Sequence, residues 1–201
     1  MAESVNLSTP ASRREALRTV AVDDPRRHHA MLRAIFDLER TWREGPDEGE
    51  SDEYEQIYVT AFLLFLIGDA ADAPRLYDAK FRTRDMDLSI GFDAEAIFGA
   101  GASETLQWLL ENGYTDEYAR LSQWLSQRED PKIEEWAGHV REYFYAPDGV
   151  LLLDPLWRPS RSGTSTDAGV DYGSEACSSR LSSQAAGSTV TSSVRASAVG
   201  S

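Results

Sequence analysis

Residues 54–69 read Tyr54-Glu55-Gln56-Ile57-Tyr58-Val59-Thr60-Ala61-Phe62-Leu63-Leu64-Phe65-Leu66-Ile67-Gly68-Asp69, and this stretch decides the fold. Tyr54, Ile57, Tyr58, Ala61, Phe62 and Phe65 recur at helical spacing. From Phe62 to Ile67 the helix is apolar on every side, which calls for burial all round. Gly68-Asp69 stops it. The apolar run Ile57–Gly68 falls short of the roughly 20 residues a membrane span requires. It therefore reads as the central helix of a globular domain with no membrane partner.

The flanking segments repeat the helical period. Upstream, Ser12–Val22 is expected to form a short helix. Asp24-Pro25 then offers a cap residue and a first-turn proline. Met31, Ala34, Ile35, Leu38 and Trp42 follow as one apolar stripe, ended by Gly45-Pro46. Downstream, Asp72-Ala73-Pro74 opens a helix carrying Leu76, Tyr77 and Phe81. Thr83–Gly101 lacks a long helix, although Asp93 can cap a single turn, Ala94–Phe98, closed by Gly99. Ala102, Leu106, Leu109 and Leu110 mark the next helix, closed by Asn112-Gly113. Thr115–Glu129 carries Tyr118, Leu121, Trp124 and Leu125. After Asp130-Pro131, Ile133, Trp136, Ala137, Val140 and Phe144 repeat the upstream stripe. Val150–Leu153, Pro155 and Trp157 form an apolar coda expected to dock in extended form. With no alternating strand runs, the fold class is all-α: a compact bundle or short stack of antiparallel helical hairpins.

Composition divides the chain near Pro159. Residues 160–201 hold 13 Ser, no Trp, no Phe and three charges of each sign. Too little apolar surface is present there to offset the entropy of ordering. The expected organisation is a flexible N-terminus (1–11), an all-α domain (12–157) and a disordered Ser-rich tail (158–201). The net charge of −14 belongs to the first part. That acidity argues against nucleic acid as a partner, because phosphates are repelled. Cys177 is the single cysteine, so no intrachain disulfide is possible, which fits a reducing, cytoplasmic setting.

Phe65-Leu66-Ile67-Gly68-Asp69-Ala70-Ala71-Asp72 precedes a helix with Arg75-Leu76, and Leu109-Leu110-Glu111-Asn112-Gly113-Tyr114-Thr115-Asp116 precedes one with Arg120-Leu121. Over residues 51–130 the chain resembles HEAT-like helical-repeat proteins. The resemblance implies stacked hairpins used as a binding surface, with no catalytic residues.

Candidate chemistry is sparse. Asp85-Met86-Asp87-Leu88-Ser89-Ile90-Gly91 has alternating oxygens, but its Gly is seventh where a calcium loop needs it sixth, and Ala96 stands where the closing Glu belongs. Gly99-Ala100-Gly101-Ala102-Ser103-Glu104 places an acid where a phosphate cradle wants its third glycine. His28 and His29 are adjacent, so they diverge on a helix. Glu135 and His139 share a face without further ligands in reach of the spacing. No cofactor, metal or catalytic residue is assigned. Arg82, Arg84, Asp85, Asp87 and Asp93 are candidates for a polar cleft. Trp108, off its helix's apolar line, is a candidate aromatic anchor.

Seven acids and no base occupy Glu44–Glu55. Some have a structural use, since negative charge near a helix N-terminus is favourable. Glu44, Asp47, Glu48, Glu50, Asp52 and Glu53 make up the expected acidic binding surface. The leading expectation is a non-catalytic module that engages a protein partner with a basic surface. A toxin-neutralising (immunity or antitoxin) protein covering a nuclease groove is one concrete form. The alternatives are an enzyme or small-ligand-binding protein with its site in residues 80–95, and a structural subunit of a helical assembly.

Overall fold

The computed structural model describes residues 5–45, 55–128 and 132–153. Eight α-helices are found among them: α1 (Pro10–Arg18), α2 (His29–Arg43), α3 (Glu55–Ile67), α4 (Ala73–Phe81), α5 (Met86–Gly91), α6 (Ala102–Glu111), α7 (Thr115–Ser126) and α8 (Ile133–Phe144). Turns of 3-10 helix at Arg26–His28, Ala70–Asp72 and Ala94–Phe98 link them. The β-structure among the described residues is one isolated bridge, Tyr145 to Leu151. The fold is all-α, and none of the described helices is long and apolar enough to cross a membrane.

α3 is the hub, as its composition demands. Gln56, Ile57, Val59, Thr60, Ala61, Phe62, Leu63, Leu64 and Ile67 are all buried. α2 makes the largest helix–helix contact with it, while α1, α8 and the 94–98 turn cover other parts of its surface. Phe36, Phe62, Phe92 and Phe98 are each below 2% exposed. Truncating such a side chain to Ala costs about 3–5 kcal/mol, so these rings hold the layers together.

Gly68 ends α3 at φ 69° and Gly113 ends α6 at φ 82°, a left-handed conformation open to glycine at little cost. After Gly113, α7 packs against α6. The coda also docks: the Leu152 amide donates to the Phe144 carbonyl at 2.8 Å, and Leu153 is buried.

Several helix starts differ from expectation. α1 begins at Pro10, not Ser12. Thr9 is its cap, with Thr9 and Ser12 exchanging side-chain and backbone hydrogen bonds in a capping box. Residues 9–11 are thus part of the folded domain, and the Leu7 carbonyl accepts from Arg13. Asp24 caps nothing. Pro25 leads into the 3-10 turn, and α2 starts only at His29. Asp72 occupies the cap position of α4 but makes no capping bond, because its carboxylate is used elsewhere. Asp130-Pro131, Pro155, Trp157 and the Ser-rich tail lie outside the described residues.

Candidate functional site

The residues proposed for a polar cleft do not converge. Asp85 caps α5 by accepting from the Leu88 amide at 3.0 Å, and Arg43 reaches it from α2 with Nε 3.0 Å away. Arg82 leaves the end of α4 to pair with Asp78 at 3.1 Å and Glu117 at 2.6 Å, its guanidinium over the Tyr77 ring. Lys80 Nζ donates to the Ser89 carbonyl at 2.8 Å, and Ser89 Oγ returns a bond to the Lys80 carbonyl. Arg84 and Asp87 point to solvent with no partner among the described residues. Lys80, Arg82 and Asp85 thus fasten the connection between α4 and α5 to its surroundings. Asp93 belongs to a different place altogether.

Trp108 is not an exposed anchor. It is half-buried against the core and stacks on Tyr114, ring centroids 5.6 Å apart. Glu44 follows the last turn of α2, exposed, where it accepts from Thr83 Oγ1 at 2.9 Å. Asp47, Glu48, Glu50, Asp52 and Glu53 lie outside the described residues. Glu55, the last acid of the same run, is described, and it opens α3.

Glu55 leads to a groove the sequence did not disclose. α3, the end of α5, the 94–98 turn and α8 enclose about 430 Å³. Tyr58 comes from α3, Phe92 from the end of α5, and Trp136, Val140, Tyr143 and Phe144 from α8. The α8 residues recur at positions three and four apart, which aligns them on one face. Gly91 makes room on the opposite side: a β-carbon there would lie 2.7 Å from the Tyr58 hydroxyl. Trp136 is braced from behind by Phe65, edge-on at 5.0 Å, and by Phe62 at 6.3 Å.

Two carboxylates complete the wall, each fixed by an aromatic donor. Trp136 Nε1 donates to Asp93 Oδ2 at 2.8 Å. The Tyr143 hydroxyl donates to Glu55 Oε1 at 2.9 Å. Neither Glu55 nor Asp93 forms an ion pair among the described residues. That sets them apart from Glu39, Asp72, Asp85 and Glu117, which all face arginines. His139 lines the same groove from the exposed side of α8.

A second polar cluster joins α2 to the start of α4. Asp72, only 1% exposed, accepts from Arg33 Nε at 2.6 Å and Arg75 Nη1 at 3.1 Å on one oxygen. Its other oxygen is 2.6 Å from His29 Nε2, and Asp69 lies 3.8 Å from His29 Nδ1. Burial opposes the Arg33 charge, yet its bonds to Asp72 and Asp69 outweigh that and raise its pKa. Ligand atoms of His29, Asp69 and Asp72 all fall within 4.8 Å of one another, the composition of a cation site. Two guanidiniums already bond to the buried carboxylate, so an added cation would meet like charge. The arrangement is an ion-pair lock between helices. His29 and Asp72 are 43 positions apart, and Asp72 followed by Ala73-Pro74 reads as a cap, so no sequence signal pointed to it.

No protein-family model, curated protein or solved structure matches this chain. Function must be argued from the groove and the acidic run that ends in it.

Proposed function

We propose that this chain is a non-catalytic, acidic protein-binding module that docks a basic segment of a partner protein. The observation that carries the reading is Glu55, which belongs at once to the acidic run and to the aromatic groove. The run supplies long-range attraction, and the groove supplies apolar contact with two carboxylates that have no ion-pair partner among the described residues. Most other buried or half-buried acids are neutralised by arginines within the fold, whereas Glu55 and Asp93 face no arginine among the described residues. Partners that fit include proteins whose own work needs a basic surface, such as nucleases.

The test is an array of short peptides, Arg/Lys-rich against their Glu-reversed counterparts, probed with the full chain. Basic peptides should be retained at about 50 mM salt and released by about 300 mM, because exposed charges are screened over about 8–10 Å at physiological ionic strength. Changing Asp47, Glu48 and Glu50 together to Lys should abolish retention. Undiminished binding by that variant would refute the reading.

A further inference from the structure

We infer that the α3–α8 groove is a receptor for a guanidinium-bearing side chain, an arginine of the docked segment. This rests on the proposed function and gives it a site. A guanidinium needs flat apolar surface for its faces and in-plane acceptors for its N–H groups. The groove offers both. Trp136, Tyr143 and Tyr58 provide rings, and Val140 provides an apolar wall for the methylene stem.

Glu55 and Asp93 provide the acceptors. Each carboxylate spends one oxygen on an aromatic donor: Glu55 Oε1 on Tyr143 and Asp93 Oδ2 on Trp136. Glu55 Oε2 and Asp93 Oδ1 accept nothing among the described residues. Held by those bonds, the two carboxylates present their remaining lone pairs without a large ordering cost on binding. Both carry formal negative charge beside apolar wall, so charge complementarity selects a cation with an apolar stem over a neutral or anionic group. The same chemistry already operates inside the fold, where Arg128 lies 3.7 Å from the Trp124 ring centroid and Arg120 lies 4.4 Å from that of Phe81. The groove volume of about 430 Å³ exceeds one such side chain, which leaves room for an apolar neighbour from the same segment.

The experiment titrates the full chain with N-acetyl-arginine amide and follows the Trp136 indole N–H by two-dimensional nuclear magnetic resonance. That proton bonds to Asp93, so it reports directly on the carboxylate, and Trp136→Phe assigns its signal. The arginine probe should shift it saturably at millimolar concentration. N-acetyl-citrulline amide, the neutral isostere, should bind at least about tenfold more weakly. Asp93→Asn and Glu55→Gln should each weaken the arginine probe several-fold while the remaining spectrum stays dispersed and unmoved. Equal binding of citrulline, equal binding of N-acetyl-lysine amide, or a Trp136 signal that stays fixed overturns the guanidinium site.

The two readings fail separately. Basic peptides that bind through residues 47–50 while Trp136 stays fixed would remove the groove and keep the acidic module. A Trp136 shift with arginine, without retention of any basic peptide, would keep the guanidinium site and remove the module.

Discussion

A β-carbon on Gly99 would lie 2.5 Å from the carbonyl oxygen of Phe65 and 2.8 Å from its α-carbon. The turn 94–98 therefore runs backbone to backbone against α3, and glycine is required there by contact, since its φ of −59° suits any residue. Gly99→Ala must push the turn off the central helix. It should cost about 1–3 kcal/mol in urea unfolding. Gly138 is the internal control. It lies within α8 with open space where a β-carbon would sit, so Gly138→Ala should raise stability by about 0.5–1 kcal/mol.

Arg13 and Glu39 form an ion pair between α1 and α2 with both side chains almost wholly buried. Removing one partner leaves the other charge in a dry site. Glu39→Ala should therefore destabilise by about 3–5 kcal/mol. Arg13→Met with Glu39→Leu should recover most of that loss, because it removes both charges of the pair. A double-mutant cycle by denaturant titration measures the coupling, and additive losses would contradict it.

Asp72 ties His29, Arg33 and Arg75 together from its buried position. Asp72→Ala strands donors that are themselves half-exposed and can reach water. The expected loss is about 1.5–3 kcal/mol, less than at Glu39. Thermal unfolding of the two variants side by side should preserve that order. Were the site a cation receptor instead, zinc or calcium would raise the melting temperature of the parent chain and leave Asp72→Ala unaffected.

Tyr145 is 3% exposed and its hydroxyl has no hydrogen-bond partner among the described residues. Burial pushes its pKa up, with the nearby Arg141 charge pulling weakly the other way. The folded state thus holds the phenol neutral where the unfolded chain, with its ordinary value near 10, ionises. This contribution to stability is fully present below about pH 10 and is lost as pH rises from there toward the folded value. Tyr145→Phe should match or exceed the parent at neutral pH, since it removes an unpaired buried hydroxyl. It should also lose less on going to about pH 10.5. Equal alkaline losses in the two proteins would contradict the assignment.

Much of the helical framework was legible in sequence. Of the all-round apolar run Phe62–Ile67, Phe62, Leu63, Leu64 and Ile67 are buried while Phe65 and Leu66 are only partly so, and Gly68 and Gly113 did end their helices. Such features depend on local periodicity and on backbone freedom, which a linear reading can see. The cap expected of Asp24 did not form, because Pro25 leads into a 3-10 turn and α2 begins only at His29. Asp72 does stand ahead of the helix it was expected to open, but spends its carboxylate on ion pairs instead of a capping bond. For Asp72 the outcome was set by Arg33 and His29, which arrive from a different helix. Trp108 lay off its helix's apolar line, yet Tyr114 from the following turn covers it. The groove drew on four segments; Glu55 and Asp93 each stood inside a stretch singled out in advance, but nothing in the sequence showed that they would line one groove.

By itself the sequence determined that the domain is helical, which run lies at its centre and where its negative charge is in surplus, since these follow from period, hydropathy and composition along the chain. Tertiary structure alone decided which carboxylates that surplus leaves unpaired. Neutralisation is a contact between elements tens of residues apart: Arg33 reaches Asp72 and Arg13 reaches Glu39, while among the described residues Glu55 accepts from the hydroxyl of Tyr143 and Asp93 from the indole of Trp136, with no arginine at either. Whether an acid is spent on the fold or kept for a partner depends on that packing, which the order of residues does not record.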